Sequence, residues 1–288
     1  MLGVRVGGGP YDLPVATHEA TTMVVRGVPV EIEIHGTGTP LLMIHGWGVD
    51  RRLMTGCMER LFDDDAPWLR IYPDLPGMGG TPGDPTIDGS DAMLGLLLDL
   101  VDAVCPGQPF AVAGESYGGY LARGIVHRRP ADVLGMLLIC PSVAPGTPAD
   151  AELRVLERDD TLLASLDPAD REAFTTITVR QTRPVWERFA TEILPGIRAS
   201  DQRYLSEALG RASRFSFDVD DRDFDRPVLF LTGRQDNSVG YQHQWELLER
   251  YPRASFVVLD RAGHNLQTEQ PEIFDATVRE WLDRISPA

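Results

Sequence analysis

The chain contains no lysine, so that arginine supplies all 27 of its basic residues. Against these stand 43 acidic residues, which leave a formal net charge of −16 at pH 7. A surface of this sign repels nucleic acid and anionic lipid. We therefore expect neither as a partner. Coding bias and adaptation to salt would both produce a chain without lysine.

Cysteine is scarce, and long apolar runs are missing. Cys57, Cys105 and Cys140 form an odd, widely spaced set without the spacing of metal ligands, as is typical of buried or free thiols in a reducing compartment. No apolar run reaches about 18 residues, the length needed to span a membrane, and the amino terminus lacks a signal-peptide core. We expect no metal, no membrane contact and a cytoplasmic location.

The apolar pattern predicts strands that alternate with helices. Residues 1–20 show no period and are expected to be a loose lead-in, and residues 23–25 and 28–34 read as an antiparallel hairpin. Ser90 is expected to cap a helix that ends before residue 106. Further strands are predicted at 41–44, 69–72, 110–113, 133–139, 228–231 and 256–259. This order indicates a mostly parallel eight-stranded sheet with helices on both faces.

One segment breaks the alternation. Residues 142–222 contain no convincing strand, and their aromatic and aliphatic residues recur at helical spacing. We interpret 142–222 as an inserted helical lid, and 1–141 with 223–288 as the core domain. The acidic residues of the lid are interpreted as a solvated face, and most of its aromatic side chains as packing within the lid.

Residues 114–118 read Gly-Glu-Ser-Tyr-Gly, with a predicted strand before them and a predicted helix after them. Glycine at both ends lets the chain turn tightly enough to expose the central serine. Ser116 is therefore the candidate nucleophile. The side chain of Glu115 is expected to point away from Ser116 and to support the turn.

Asp236 and His264 each follow the carboxyl end of a predicted strand, as Ser116 does. Open parallel sheets gather their reactive groups at this edge. A serine hydroxyl is a poor nucleophile until a base takes its proton, and the base needs a carboxylate to orient it. The three residues are thus predicted to form a Ser-His-Asp triad. His45, also at a strand end, is interpreted as a structural donor.

These motifs resemble the α/β-hydrolase fold over residues 21–284, with the segments at 45–48, 74–79, 114–119, 233–236 and 263–264 as its marks. The resemblance implies an oxyanion hole formed by the backbone N–H groups of Trp47 and Tyr117. The indole of Trp47 would either wall the pocket or lie on the core. No cofactor is implied.

We predict a serine hydrolase that acts by acyl transfer on a small or medium, partly apolar ester or lactone. Some relatives of this fold react through an aspartate nucleophile at the turn that here carries Ser116. A serine in this place excludes their mechanisms. An amidase or aminopeptidase, a carbon–carbon bond hydrolase, a cofactor-free peroxidase side activity, and a ligand-binding protein with little turnover remain alternatives. The glycines at 77–80 do not indicate a nucleotide site, because no Gly-Lys-Ser/Thr follows. The oligomeric state is left open.

Overall fold

A computed structural model describes residues 17–147, 149 and 152–286 of the chain. Most of the predicted lead-in, residues 1–16, lies outside the described residues. Residues 17–20 correct that prediction, because they already belong to the first strand. The backbone of this strand is held by its antiparallel neighbour from Thr17 to Val25, with one irregularity, so pairing extends it beyond its apolar core.

The strands run, in chain order, as β1 (Thr17–Val25), β2 (Val28–His35), β3 (Thr39–Ile44), β4 (Trp68–Pro73), β5 (Phe110–Glu115), β6 (Val133–Ile139), β7 (Glu157–Arg158), β8 (Arg180–Gln181), β9 (Val228–Gly233) and β10 (Ala254–Leu259). Eight of them form one sheet in the order β1-β2-β4-β3-β5-β6-β9-β10. β2 is antiparallel to both of its neighbours, and every other pairing is parallel. The predicted sheet is confirmed.

The helices are α1 (Arg52–Met58), α2 (Ser90–Val104), α3 (Tyr117–Arg128), α4 (Asp160–Ser165), α5 (Pro168–Thr175), α6 (Arg183–Glu192), α7 (Leu194–Ala199), α8 (Gln202–Glu207), α9 (Gln242–Glu246), α10 (Leu266–Glu269) and α11 (Pro271–Ile285). Single 3₁₀ turns occupy Glu59–Leu61, Leu209–Ala212 and Leu247–Arg250. None of the described helices has the length and apolar character that crossing a bilayer requires.

Alternate residues of the central strands pack against opposite helical layers. In β3, Leu42 and Ile44 share a buried cluster with apolar residues of α2 and α3. Leu41 and Met43 share another with residues of α1 and α11. A strand buried on both faces needs the unbroken apolar run found in β3. Packing on both faces holds the carboxyl ends of the central strands, which carry the site, in fixed positions.

Ser90 does not cap α2 as predicted. It is the first helical residue, Gly89 precedes it, and no side chain caps the helix. The hydroxyl of Ser90 instead donates to the carbonyl of Ser213 at 2.6 Å and pairs with the hydroxyl of Tyr117 at 2.8 Å. The sequence pattern is that of a cap, but these tertiary partners from distant segments engage the hydroxyl.

Helices α4 to α8 occupy the segment predicted to be a lid. Asp167 caps α5, since its carboxylate accepts the N–H of Ala169 at 3.0 Å. Phe174, Trp186 and Phe189 form an aromatic cluster with ring centroids 5.2 to 6.1 Å apart, in agreement with packing within the lid.

The prediction of no strand in this segment needs one correction. β7 and β8 pair in parallel over two residues each, a length too short to give an apolar pattern in the sequence.

Candidate active site

Ser116 stands at a sharp turn between β5 and α3. Its φ of 51° and ψ of −114° are unusual for a residue with a side chain. Two glycines make room for this turn. A Cβ at Gly114 would overlap the carbonyl of Gly118, and one at Gly118 would overlap that of Ile44. The turn leaves Ser116 on the wall of a cavity.

A chain of hydrogen bonds joins the three residues that the sequence singles out. Oγ of Ser116 lies 3.0 Å from Nε2 of His264, and Nδ1 of His264 lies 2.9 Å from Oδ2 of Asp236. His264 follows β10 and Asp236 follows β9, so the parallel sheet delivers all three to one edge. When Nδ1–H donates to Asp236, Nε2 is free to accept the proton of Ser116.

Asp236 is itself held in place by the backbone. It is fully buried, and its other oxygen accepts the N–H groups of Ser238 at 2.8 Å and Val239 at 3.1 Å. Burial lowers the pKa of His264, but the charge and hydrogen bond of Asp236, followed by the charge of Glu115, outweigh it and raise that pKa to about 9. The site is therefore built to favour the imidazolium form of His264.

The backbone N–H groups of Trp47 and Tyr117 belong to residues that line the cavity beside Ser116. Within the described part of the chain, neither N–H has a protein acceptor. The two rings meet edge to face, with centroids 5.3 Å apart, and the indole of Trp47 is partly exposed. Of the two alternatives for that indole, the structure favours the pocket wall. Free N–H groups beside a nucleophile are the donors that an oxyanion needs.

His45 has the geometry of a structural residue. It is fully buried, its Nδ1 lies 2.8 Å from the carbonyl oxygen of Gly46, and its Nε2 accepts the N–H of Leu75 at 2.9 Å. Burial lowers the pKa of His45 and so keeps its ring neutral. Both ring nitrogens are occupied by backbone, in agreement with the structural role predicted for His45.

Glu115 corrects a prediction. Its side chain does not point away from the site: Oε1 lies 3.3 Å from Nε2 of His264, and the carboxylate accepts the N–H of Gly46. The expectation assumed that neighbouring residues alternate across the strand. That alternation fails here because Ser116 leaves strand geometry with its positive φ. Burial raises the pKa of Glu115 to about 7, against the opposing charge of His264.

The cavity beside Ser116 has a volume of about 390 Å³. Small and hydroxyl-bearing residues dominate its wall, together with one indole, and no charged side chain is among those the structure describes there. The lining residues are Trp47, Ser116, Tyr117, Ser142, Pro145, Gly146, Thr147, Gly210, Ser213, Ser238 and Val239. Gly210 and Ser213 come from the predicted lid, so this segment helps to close the space in front of the nucleophile.

One group of side chains among the described residues has the spacing of metal ligands: Cys140, Asp236 and His264. Asp236 and His264 are already hydrogen bonded to each other. Burial raises the pKa of the Cys140 thiol well above its usual range, whereas metals bind the thiolate. The donor chemistry therefore fits a hydrogen-bonded triad better than a metal centre.

A model of the alpha/beta hydrolase family matches residues 41–277, a range that includes every residue placed at the site above. The chain belongs to the alpha/beta hydrolase family. The predicted fold and the resemblance that the motifs carry are thereby confirmed.

Two relatives of this hydrolase are named as esterases. The pimeloyl-[acyl-carrier protein] methyl ester esterase of Aeromonas salmonicida is 28% identical over 268 residues, which cover 87% of this chain and 98% of the relative. The enzyme of the same name from Legionella pneumophila (strain Paris) is 24% identical and covers 88% and 99%. The prediction of an enzyme that hydrolyses carboxylic esters is confirmed at the level of the class.

Solved structures agree with the fold. An alpha/beta superfamily hydrolase from Oenococcus oeni PSU-1 superposes with a TM-score of 0.83 at 27% identity, over 92% of this chain and 99% of that one. The esterase RhEst1 from Rhodococcus sp. ECU1013 superposes with a TM-score of 0.71 at 20% identity, over 93% and 99%, and this likeness concerns the fold alone.

Sequence reasoning missed one buried acid of this hydrolase, Glu269. Its Oε1 accepts the N–H groups of Val179 at 2.6 Å and Arg180 at 3.0 Å, and its Oε2 accepts the N–H of Gly263 at 2.6 Å. The guanidinium of Arg180 also donates to the carbonyl of Glu269. No motif marks this residue, because its partners are backbone groups, one of them 6 residues away and the other two 89 and 90 residues away.

Proposed function

We propose that this chain hydrolyses carboxylic esters through a serine nucleophile, with Ser116 as the nucleophile, His264 as general base and Asp236 as its orienting carboxylate. The hydrogen-bonded sequence from Ser116 Oγ to His264 Nε2 and from His264 Nδ1 to Asp236 carries this proposal. The 2.9 and 3.0 Å separations are those over which a proton is shared or transferred. Membership of the family and the esterase relatives support it independently.

The reaction follows from the positions of these groups. Ser116 Oγ attacks the ester carbonyl as its proton passes to Nε2 of His264. The negative charge that develops on the carbonyl oxygen is taken up by the N–H groups of Trp47 and Tyr117, each worth roughly 10²- to 10³-fold in rate. The alkoxide leaves with the proton from Nε2, and water then releases the acyl group by the same steps.

The lining of the cavity suggests the kind of substrate. A volume of about 390 Å³ is at the small end of the range for small-molecule sites. Trp47 and Val239 provide apolar surface, and the hydroxyls of Ser142 and Thr147 provide neutral polar groups. We infer a neutral, compact ester or lactone. The relatives act on a methyl ester of pimeloyl-acyl-carrier protein by name, so methyl esters belong in the first substrate panel.

The predicted lid, residues 142–222, remains part of the proposal. Helices α4 to α7 pack on the same apolar cluster as α1 and α11, whereas Leu205 of α8 packs on the cluster of α2 and α3. Gly210 and Ser213 border the cavity. We infer that 142–222 acts as the cap of a core domain formed by 1–141 and 223–288.

Substrate and compartment complete the proposal. All three cysteines are buried and free, which supports a reducing compartment, the cytoplasm. The acidic net charge supports a small-molecule substrate rather than a nucleic acid.

The test is hydrolysis of p-nitrophenyl and methyl esters of increasing acyl length, with lactones and aminoacyl anilides in parallel. Replacing Ser116 by alanine is expected to reduce kcat by up to about 10⁶-fold, because triad members act as a unit. Ser142→Ala is the matched control, since Ser142 lines the same cavity without a hydrogen bond to His264. A fluorophosphonate probe should label the native chain and Ser142→Ala but not Ser116→Ala.

Different results would point to the alternatives. Labelling that survives Ser116→Ala would contradict the nucleophile assignment. Labelling with no turnover of any ester or lactone would favour a carbon–carbon bond hydrolase or a ligand-binding protein. An aminopeptidase is disfavoured, because the described lining of the cavity offers no carboxylate to bind a substrate amine.

A further inference from the structure

His264 is approached by a carboxylate from each side of its ring. Asp236 lies 2.9 Å from Nδ1, and Oε1 of Glu115 lies 3.3 Å from Nε2. Nε2 is the atom that faces Ser116, so Glu115 stands next to the nitrogen that carries the proton during the reaction. A conventional triad needs only the first of these carboxylates.

Glu115 is not on the surface. It is 2% exposed, so a negative charge there would be costly unless a partner compensated it. Its described partners are the N–H of Gly46 and the ring of His264. A Cβ on Gly46 would overlap Oε2 of Glu115, so the carboxylate lies directly against the loop that carries Trp47, and the N–H of Gly46 holds it there. The position is thus fixed from the loop side as well as from the strand.

We propose that Glu115 is a second carboxylate of the catalytic site, which stabilises the imidazolium form of His264 from the Nε2 side while Asp236 stabilises it from the Nδ1 side. This inference rests on the proposed function. Glu115 gains and loses no proton in the cycle. The proton moves from Ser116 to Nε2 and from Nε2 to the leaving oxygen, and Glu115 offsets the positive charge that exists between these two transfers.

Other titratable groups around the ring play smaller parts. Cys140 lies on the Asp236 side within the same buried group, and Glu269 raises the pKa of His264 from a greater distance, after Asp236 and Glu115 in effect. Cys57 lies near enough to Glu115 to sense its charge. Burial raises the pKa of both thiols above the usual range, so that neither carries charge near neutrality.

The consequence is a pH profile that depends on Glu115. Because imidazolium cannot act as a base, stabilising it raises the pH at which His264 becomes active. It also makes the neutral ring a stronger base. Glu115→Gln keeps the shape and an oxygen to accept the N–H of Gly46, but removes the charge. An opposite charge at this distance typically shifts a pKa by about 1 to 3 units.

The experiment is the rate of fluorophosphonate labelling between about pH 5.5 and pH 10.5, followed in native and Glu115→Gln protein. The native rate is expected to rise to a midpoint near pH 9, the value to which the pKa of His264 is raised. In Glu115→Gln the midpoint should fall by about one unit or more. Near pH 8, where Glu115 is largely ionised in the native protein, the variant then labels about threefold faster than the native protein, and near pH 10 it labels more slowly.

Controls separate this proposal from the proposed function. Glu207→Gln removes an exposed lid carboxylate and should leave the midpoint unchanged. Glu115→Asp withdraws the charge by one methylene and should give a smaller shift, which also decides the matter if Glu115→Gln does not fold. Equal midpoints in the folded native, Glu115→Asp and Glu115→Gln proteins would overturn the role of Glu115. Absence of native labelling at every pH would instead refute the serine mechanism.

Discussion

The carboxylate of Glu269 accepts the backbone N–H of Gly263 at 2.6 Å, one residue before His264. Its other oxygen holds Val179 and Arg180, which belong to the predicted lid. One buried side chain therefore connects the predicted lid to the loop that carries His264, the proposed general base. Arg188, which donates to the carbonyl of Gln267, makes a second such link, and a change in the position of the predicted lid would reach His264 through both residues.

Replacing Glu269 by glutamine tests that connection. The amide has one acceptor oxygen, so its NH₂ group must face at least one of the N–H donors. We expect the free energy of unfolding to fall by about 1–3 kcal/mol, the range for a buried polar group that loses its partner. We also expect kcat to fall, because His264 loses its backbone support. Urea unfolding and ester kinetics measure the two effects.

Glu272→Gln is the matched control for this change, because Glu272 is an exposed acid three residues away. It should change the free energy of unfolding by no more than about 0.5 kcal/mol and should leave kcat nearly unchanged. Amide hydrogen exchange gives an independent check, since Glu269→Gln should lose protection at both Gly263 and Val179. Protection lost at neither amide would refute the connection.

Three groups should make stability decline as the pH rises from about 5 to about 9, and together they outweigh His45, whose lowered pKa acts in the opposite direction below its ordinary value of 6.5. The pKa of His264 is raised to about 9, and such a group contributes stability below its ordinary value of 6.5 that is lost as the pH rises through its folded value. The pKa values of Glu115 and Glu269 are raised by burial to about 7. A buried acid of this kind favours the folded state only while it is protonated, so its contribution is lost between about pH 4.5 and 7. All three act in the same direction.

The measurement is the free energy of urea unfolding at about pH 5.5, 7 and 9 with ionic strength held constant. The decrease in the free energy of unfolding between about pH 5.5 and 7 should be smaller in Glu115→Gln, because glutamine does not titrate. Carboxylates with lowered pKa values, such as Glu33 and Glu157, lose their contribution only below about pH 4.5. A stability that increases from about pH 5.5 to 9 would contradict the raised values.

Replacement by alanine should lower stability at His45 and ester turnover at His264. His45→Ala leaves the N–H of Leu75 without its acceptor, so we expect a loss of about 1–3 kcal/mol in stability. His264→Ala removes the base and should abolish ester turnover while the fold persists. Thermal unfolding and probe labelling of the two variants distinguish these outcomes. A stable, inactive His45→Ala protein would mean that this histidine takes part in the chemistry.

Apolar and glycine patterns in the sequence predict most of the fold. The run from Leu41 to Ile44 is apolar at every position because both faces of β3 are covered. Such a run can be recognised from the sequence alone. The positions of Ser116, Asp236 and His264 follow from the same logic, since the ends of parallel strands meet at one edge.

The contacts that could not be predicted are those made across the chain. Glu269 accepts the N–H groups of Val179 and Gly263 only in the folded chain, and backbone N–H donors leave no pattern in a sequence. Strand alternation predicts that Glu115 points away from Ser116, but the positive φ of the serine breaks that alternation. The two-residue pairing of β7 with β8 lies below the length at which periodicity exists.

The uncharged wall of the cavity predicts a preference that can be measured with a pair of substrates of one chain length. A dimethyl dicarboxylate and its monomethyl half-ester present the same scissile bond, but the half-ester carries a carboxylate at its far end. The lining from Ser142 to Val239 offers hydroxyls and, among the described residues, no cation, and burying an unpaired carboxylate is strongly unfavourable. We therefore expect kcat/KM to be at least about tenfold higher for the diester, a difference of about 1.4 kcal/mol. A preference for the ionised half-ester would contradict the neutral lining.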